Sequence, residues 1–294
     1  MNRFLFSTAT AALLLSPLAC DFDKTGNQLL AEKVMVGTLL ATPDVNVSAV
    51  TLAGGDAGTL PDGGYGGPSL TIPGQTAAFV FFATRDGEQG SPEPVADATA
   101  RIEFQNGDTL HLENQGLGTY SYTSDFSDDA GVRYQSGATY RFVAAHGGSA
   151  HVGAVEDAPG LERIDALHPA GGYVQHTANQ GLTLQRPAVP AGKERTLGFV
   201  TVYPLSQNGS KGQPTYTNVP KEPLEFLELV ALPTESNTWK KSSVAIPGSA
   251  FPQTKSNYLV VFQTAKTGGA ESNNLFIGSA LLVGTADVGM VRTQ

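Results

Sequence analysis

The chain has one cysteine, one tryptophan and three methionines in 294 residues. A lone cysteine excludes an internal disulfide framework, so stability must come from apolar cores. Charge is scarce as well: acidic and basic residues make up 15% of the chain, 18 positive against 27 negative. Only Trp239-Lys240-Lys241 and Lys193-Glu194-Arg195 bring cations together, and both read as solvated faces. The acidic balance argues against nucleic acid or an anionic lipid surface as partner. No stretch offers the roughly 20 consecutive apolar residues that a membrane-spanning helix needs. Catalytic signatures are missing too. There is no Gly-x-Ser-x-Gly elbow, and the glycine-rich stretch at 54–67 lacks the lysine and following helix of a phosphate loop. These absences predict a non-enzymatic protein.

What is plentiful is glycine and proline, 34 and 18 of them, interleaved with Val, Thr, Tyr and Phe. That composition predicts many short strands joined by tight turns, an all-β fold. Strands are expected at 33–41 and 45–52, and at Thr76 to Thr84, whose apolar residues on both faces predict cover on each side. The clearest alternation runs from Val95 to Phe104: Ala98, Ala100, Ile102 and Phe104 point one way, Thr99, Arg101 and Glu103 the other. Asn106-Gly107 predicts a hairpin turn, Leu110 and Leu112 continue the buried face, and Tyr120, Tyr122, Tyr140, Phe142 and Ala144 repeat the pattern. Further strands are expected at Leu182–Leu184, 196–203, 244–246, 257–264 and 274–284. Gly54 to Pro68, with seven glycines and two prolines, predicts a loop. Leu224, Leu227 and Ala231 within Pro223–Leu232 fit helix and strand spacing alike. A shift to Pro/Gly-rich sequence after Glu156 places a boundary near 158.

Residues 1 to 20 have a secretory layout: Arg3, an apolar segment from Phe4 through Leu15, then small residues ahead of the sole cysteine. Leu18-Ala19-Cys20 resembles the end of a bacterial lipobox, although Pro17 and Leu18 stand where that family prefers leucine and a small residue. The resemblance implies a signal peptide over 1–19, a lipidated Cys20, a polar tether over 20–32, and a place in the cell envelope on a membrane. Acyl chains contribute about 0.8 kcal/mol per buried methylene, enough to anchor without a spanning helix.

Val95-Ala-Asp-Ala-Thr-Ala-Arg-Ile-Glu-Phe, Gly118-Thr-Tyr and Ser136-Gly-Ala-Thr-Tyr-Arg-Phe resemble the strands and turns of immunoglobulin-like and carboxypeptidase-regulatory-like β-sandwich modules of bacterial surface proteins, over roughly 95–155. The resemblance implies two Greek-key sandwiches, at 33–157 and 181–294, joined by a linker at 158–180. It implies a fold and no function.

Candidate chemistry is sparse. Asp125, Asp128 and Asp129 in one inter-strand loop could hold a structural calcium ion, the single cofactor suggested, against a solvated acidic turn as the simpler reading; Asp56 and Asp62 offer less. Tyr65, Tyr216 and Trp239 could form a sugar-stacking platform, making the protein a surface carbohydrate-binding module. His146 and His151 flank a Gly-Gly turn and, with Glu156, could furnish a three-ligand metal site for a hydrolase, although two solvent-exposed turn histidines are the simpler reading. Ser149 beside His151 lacks an acid. His111 falls on a polar strand face, and His168 and His176 lie in the linker without spaced partners. The expectation is a lipid-anchored binding, adhesion or assembly module whose envelope protein or glycan partner is not specified.

Overall fold

The computed structural model describes residues 22–42, 45–48, 69–72, 75–85, 92–124, 134–206, 210–220, 229 and 237–294. These form one α-helix, α1 (Phe22–Leu30), and an otherwise all-β fold. The strands of the N-terminal half are β1 (Lys33–Thr42), β2 (Val45–Ser48), β3 (Ser69–Ile72), β4 (Gln75–Thr84), β5 (Glu93–Pro94), β6 (Thr99–Phe104), β7 (Thr109–Gly116), β8 (Thr119–Thr123), β9 (Tyr140–His146) and β10 (Ser149–Val155). The C-terminal half supplies β11 (Val174–His176), β12 (Leu182–Gln185), β13 (Leu197–Leu205), β14 (Tyr216–Thr217), β15 (Ser243–Ile246), β16 (Asn257–Ala270) and β17 (Ala280–Thr293).

The last hairpin is the spine of the molecule. β16 and β17 pair antiparallel from Asn257↔Arg292 to Gly268↔Leu281, and each has two further partners in series. Along its free edge β17 pairs parallel with β1 through Ala280–Thr285 and then with β11 through Val291–Thr293. β16 pairs with β13 from Asn257 to Ala265 and then with β10 at Gly269 and Ala270. One end of the hairpin therefore lies among C-terminal strands and the other among N-terminal ones. Long apolar runs on both faces of β16 and β17 suit this position, since Tyr258, Val260 and Phe262 enter one core while Leu259 and Val261 enter another.

In the N-terminal half the pairings close into a ring of nine strands, β17-β1-β4-β8-β7-β6-β9-β10-β16 and back to β17. The ring encloses Met35, Leu39, Val80, Phe82, Ile102, Tyr120, Tyr140, Phe142, Leu281 and Val283. Period-two alternation delivers these residues inward. On β1 the inward positions are Met35, Gly37 and Leu39, and Gly37 is small because a Cβ there would stand 2.8 Å from the Phe142 ring. β6 follows its predicted alternation, with Ala100 and Ile102 buried and Thr99 exposed. β4 differs from expectation. Its inward residues Ala78, Val80 and Phe82 are buried, but Phe79 on the opposite face is exposed, because this strand forms a ring wall with a single core behind it.

In the C-terminal half, β14-β13-β16-β17-β11 form a sheet, and the β12–β15 pair lies across one face of it. Leu184, Val244, Ile246, Phe251, Tyr258, Val260, Phe262 and Val291 fill the space between. The segment expected as a linker belongs to this core: Ile164 and Leu167 are fully buried in it. The strand expected at 274–284 begins instead at Ala280 and runs to Thr293. The preceding turn is held by the chain's start, through Phe276 N–H to the Lys33 carbonyl at 2.7 Å and Ile277 N–H to the Gln28 carbonyl at 3.1 Å. The polar stretch expected as a tether carries α1, which is docked by its buried Gln28. Its carboxamide donates to the carbonyls of Ala270 and Ser272 at 3.1 and 3.2 Å.

Two turns repeat one device. The Gln135 N–H donates to the Tyr140 hydroxyl at 2.8 Å, and the Gln253 N–H donates to the Tyr258 hydroxyl at 3.0 Å. In both the tyrosine lies five residues downstream at the start of a long strand. The third residue of each turn, Gly137 or Lys255, has positive φ, +77° or +51°.

Candidate functional site

The densest polar cluster of the described residues surrounds Arg186, which the linear pattern did not single out. Arg186 follows β12 and its side chain is 0% exposed. Its Nε and Nη2 grip the two carboxylate oxygens of Glu162 at 2.6 and 2.8 Å, a bidentate pair. Nη2 also donates to the Thr196 carbonyl and hydroxyl at 3.0 and 2.9 Å. Nη1 donates to the carbonyls of Trp239 and Lys241 at 3.1 and 3.3 Å. Thr264 on β16 completes the group with a 2.8 Å bond to the Thr196 hydroxyl. Every guanidinium nitrogen thus meets an acceptor inside the protein, so the cluster acts as a strut between the 158–167 segment, β12, β13 and the Thr238–Lys240 turn.

A second buried charge sits on β17. The Asp287 carboxylate accepts from the Ile164 N–H at 2.7 Å and lies 2.8 Å from His168 Nε2. Asp287, Gly289 and Val291 share one face of the strand. Gly289 is required there because a Cβ would stand 2.5 Å from that of Leu167. The face therefore receives the turn at 164–168 and fixes it with a carboxylate. His168, expected in a linker without partners, has a partner 119 positions away in the chain.

The two histidines considered for metal binding go separate ways. His146, at the end of β9, stands 3.1 Å from Asp97. His151 lies within β10 rather than in an exposed turn: it is buried, its ring meets Phe82 at 5.3 Å between centroids, and Nδ1 lies 3.0 Å from the Asn274 carbonyl. Burial lowers the His151 pKa, and the nearby Lys33 and His146 charges push the same way, against the opposing bond to Asn274. Among the described residues no group of three or more metal-ligating acids, histidines or cysteines comes together.

Tyr216 and Trp239 are both described and both packed. Tyr216 leans on the core that contains Val200 and Val202, whereas Trp239 meets Phe199 on the other face of β13 and donates from Nε1 to the Asn218 carbonyl at 2.9 Å. The sheet separates them, so they do not share a stacking surface, and Trp239 is no solvated residue. Tyr65, Cys20, Asp125, Asp128 and Asp129 lie outside the described residues, as do Asp56 and Asp62 and all of 223–232 except Leu229. The chain matches no protein-family model and no curated protein. No helix among those described is long and apolar enough to cross a membrane.

Proposed function

We propose that the protein is a lipid-anchored component of the bacterial cell envelope that acts as a non-enzymatic binding, adhesion or assembly module. One observation carries this reading: the sole cysteine closes Leu13–Cys20, the stretch that resembles a lipobox. The arrangement of charge is in keeping with it, because the buried cluster at Arg186 and the Asp287–His168 pair are spent on internal struts. The finer fold belongs to the same proposal: two immunoglobulin-like sandwiches, the first made of 33–157 together with the β16–β17 hairpin and the second of 181–294, to which the 158–180 segment adds Ile164 and Leu167. Support comes from the two tyrosine turns, since a tyrosine hydroxyl bonded back to the upstream backbone is a hallmark of such sandwiches. The carbohydrate-binding reading retains Tyr65 alone, and the hydrolase reading requires His146 and His151 to meet at one ion, although each has its own partner.

Metabolic labelling with a lipid precursor tests the anchor. The expected result is label on the native chain in the membrane fraction, and a Cys20→Ser variant that is unlabelled and soluble. A native chain without label overturns the proposal. Crosslinking in cells followed by co-purification then identifies the partner.

A further inference from the structure

We propose that the rim of the nine-stranded ring beside α1 rests directly on the bilayer, with Leu30 and Leu117 inserted among the lipid chains; this rests on the acylation of Cys20. The first argument is reach. Cys20 precedes Phe22 by two residues, and chain geometry limits that separation to about 7 Å. α1 cannot swing out to lengthen the lead, because Gln28 ties it to Ala270 and Ser272 and Arg85 Nη2 donates to the Leu29 carbonyl at 3.3 Å. The Arg85 guanidinium also lies 3.7 Å above the Phe276 ring, clamping the helix end to the β16–β17 turn. Phe22 and Leu30 are joined by a nine-residue helix whose ends stand about 12 Å apart, so an acyl group on Cys20 keeps this rim within a short reach of the membrane.

The second argument is what the rim displays. Among the described residues five large hydrophobic side chains are exposed, and three are here: Leu30 at 82%, Leu117 at 80% and Leu29 at 45%. They share the rim because Lys33 pairs with Thr84, the Arg85 N–H donates to the Glu32 carbonyl, and the Phe82 N–H donates to the Gly118 carbonyl. The start of β1, the end of β4 and the β7–β8 turn thus lie side by side.

Leu117 is the third argument. It sits at the tip of that turn with φ +49°, between Gly116 and Gly118 at +84° and +70°. A leucine is unfavourable there twice over, in a backbone region that L side chains avoid and with its side chain in water. Immersion in lipid removes the second penalty, and the turn holds the side chain outward. The segments that meet here carry both signs, Asp23 and Lys24 on α1, Glu32 and Lys33 at the start of β1, and Arg85 after β4, so no single-sign patch calls for an anionic lipid.

With Cys20 acylated, a new cysteine is a unique labelling site. L30C, L117C and, as a control beyond the opposite end of the ring, L161C in the full acylated chain are each labelled with a polarity-sensitive fluorophore and bound to phosphatidylcholine vesicles. The expected result is blue-shifted emission at 30 and 117 that is quenched by spin-labelled lipid and unchanged by added salt, with aqueous emission at 161. Aqueous emission at all three positions, on protein whose mass shows the acyl group and which sediments with the vesicles, overturns this inference alone. A native chain whose mass shows no acyl group overturns the anchor and this inference together.

Discussion

The two halves of the molecule stabilise the same kind of structure by different means. The N-terminal ring closes on itself, so its strands satisfy one another's backbone groups, and its buried polar side chains, such as Tyr120, Tyr140, His151 and Ser279, each meet a nearby backbone group without a buried ion pair. The C-terminal half is an open sheet crossed by irregular segments. These leave the carbonyls of Thr196, Trp239 and Lys241 facing inward, and Arg186 satisfies all three while Glu162 balances its charge. A buried ion pair taken alone is weak evidence for stability. Here its value lies in the carbonyls, which an apolar replacement would leave unpaired at about 1–3 kcal/mol for each buried group.

The largest expected effect comes from separating the halves. Residues 20–158 expressed alone lack the hairpin that closes the ring. The expected outcome is a fragment without a cooperative thermal transition by circular dichroism, recovering one when mixed with residues 159–294. A sharp transition in the isolated fragment would break the comparison, because the ring would then not need its last two strands. Next in size is Arg186→Met, which strands the Glu162 carboxylate and should cost about 3–5 kcal/mol in denaturant unfolding. If the three carbonyls matter as argued, adding Glu162→Met restores only part of that loss. Full restoration by the double variant would show that the charge alone was the cost.

Tyr140→Phe and Tyr258→Phe probe what the halves have in common. Each removes the hydroxyl that accepts from the glutamine N–H, and Tyr140→Phe also removes a longer 3.3 Å bond to the Gln135 carbonyl; losses of about 1 kcal/mol are expected in both, slightly larger at Tyr140, and a loss at one turn alone would deny them a shared role. The smallest effect is the pH dependence of His151. Its folded pKa lies below the ordinary value of about 6.5, so the unfolded chain takes up a proton more readily than the folded one. Its contribution to stability is present above that pH and is lost as pH falls through the folded pKa. Denaturant midpoints should decline below about pH 6.5 in the native chain, and less steeply in His151→Gln.

Much of the strand content was legible in the sequence because alternation is a local signal: β4, β6, β9 and β13 fall within a residue or a few of their expected positions. Closure of the ring was not legible. The pairing of β1 with β17 joins residues some 240 positions apart, and nothing in either strand's pattern names its neighbour. His151 reads as exposed because Gly147-Gly148 looks like a mobile turn, whereas it is a tight hairpin that returns directly into β10. Arg186 carries no periodic or motif signal, being a single charge after a short strand. The tyrosine turns left a readable trace, glutamine followed by serine or threonine and then tyrosine five positions after the glutamine, at 135–140 and again at 253–258.

The parallel pairing of β1 with β17 also sets a timetable. A ribosome delivers β1 and β10 before β17, and at about 5–20 residues per second roughly 6–25 s separate the emergence of β10 from that of β17. Throughout that interval the outer edges of β1 and β10 have unmatched amides and carbonyls, the kind of edge that recruits strands from neighbouring chains. The ring of each new molecule therefore cannot close before the final hairpin arrives, and whatever shields those two edges until then governs how much of the product is native.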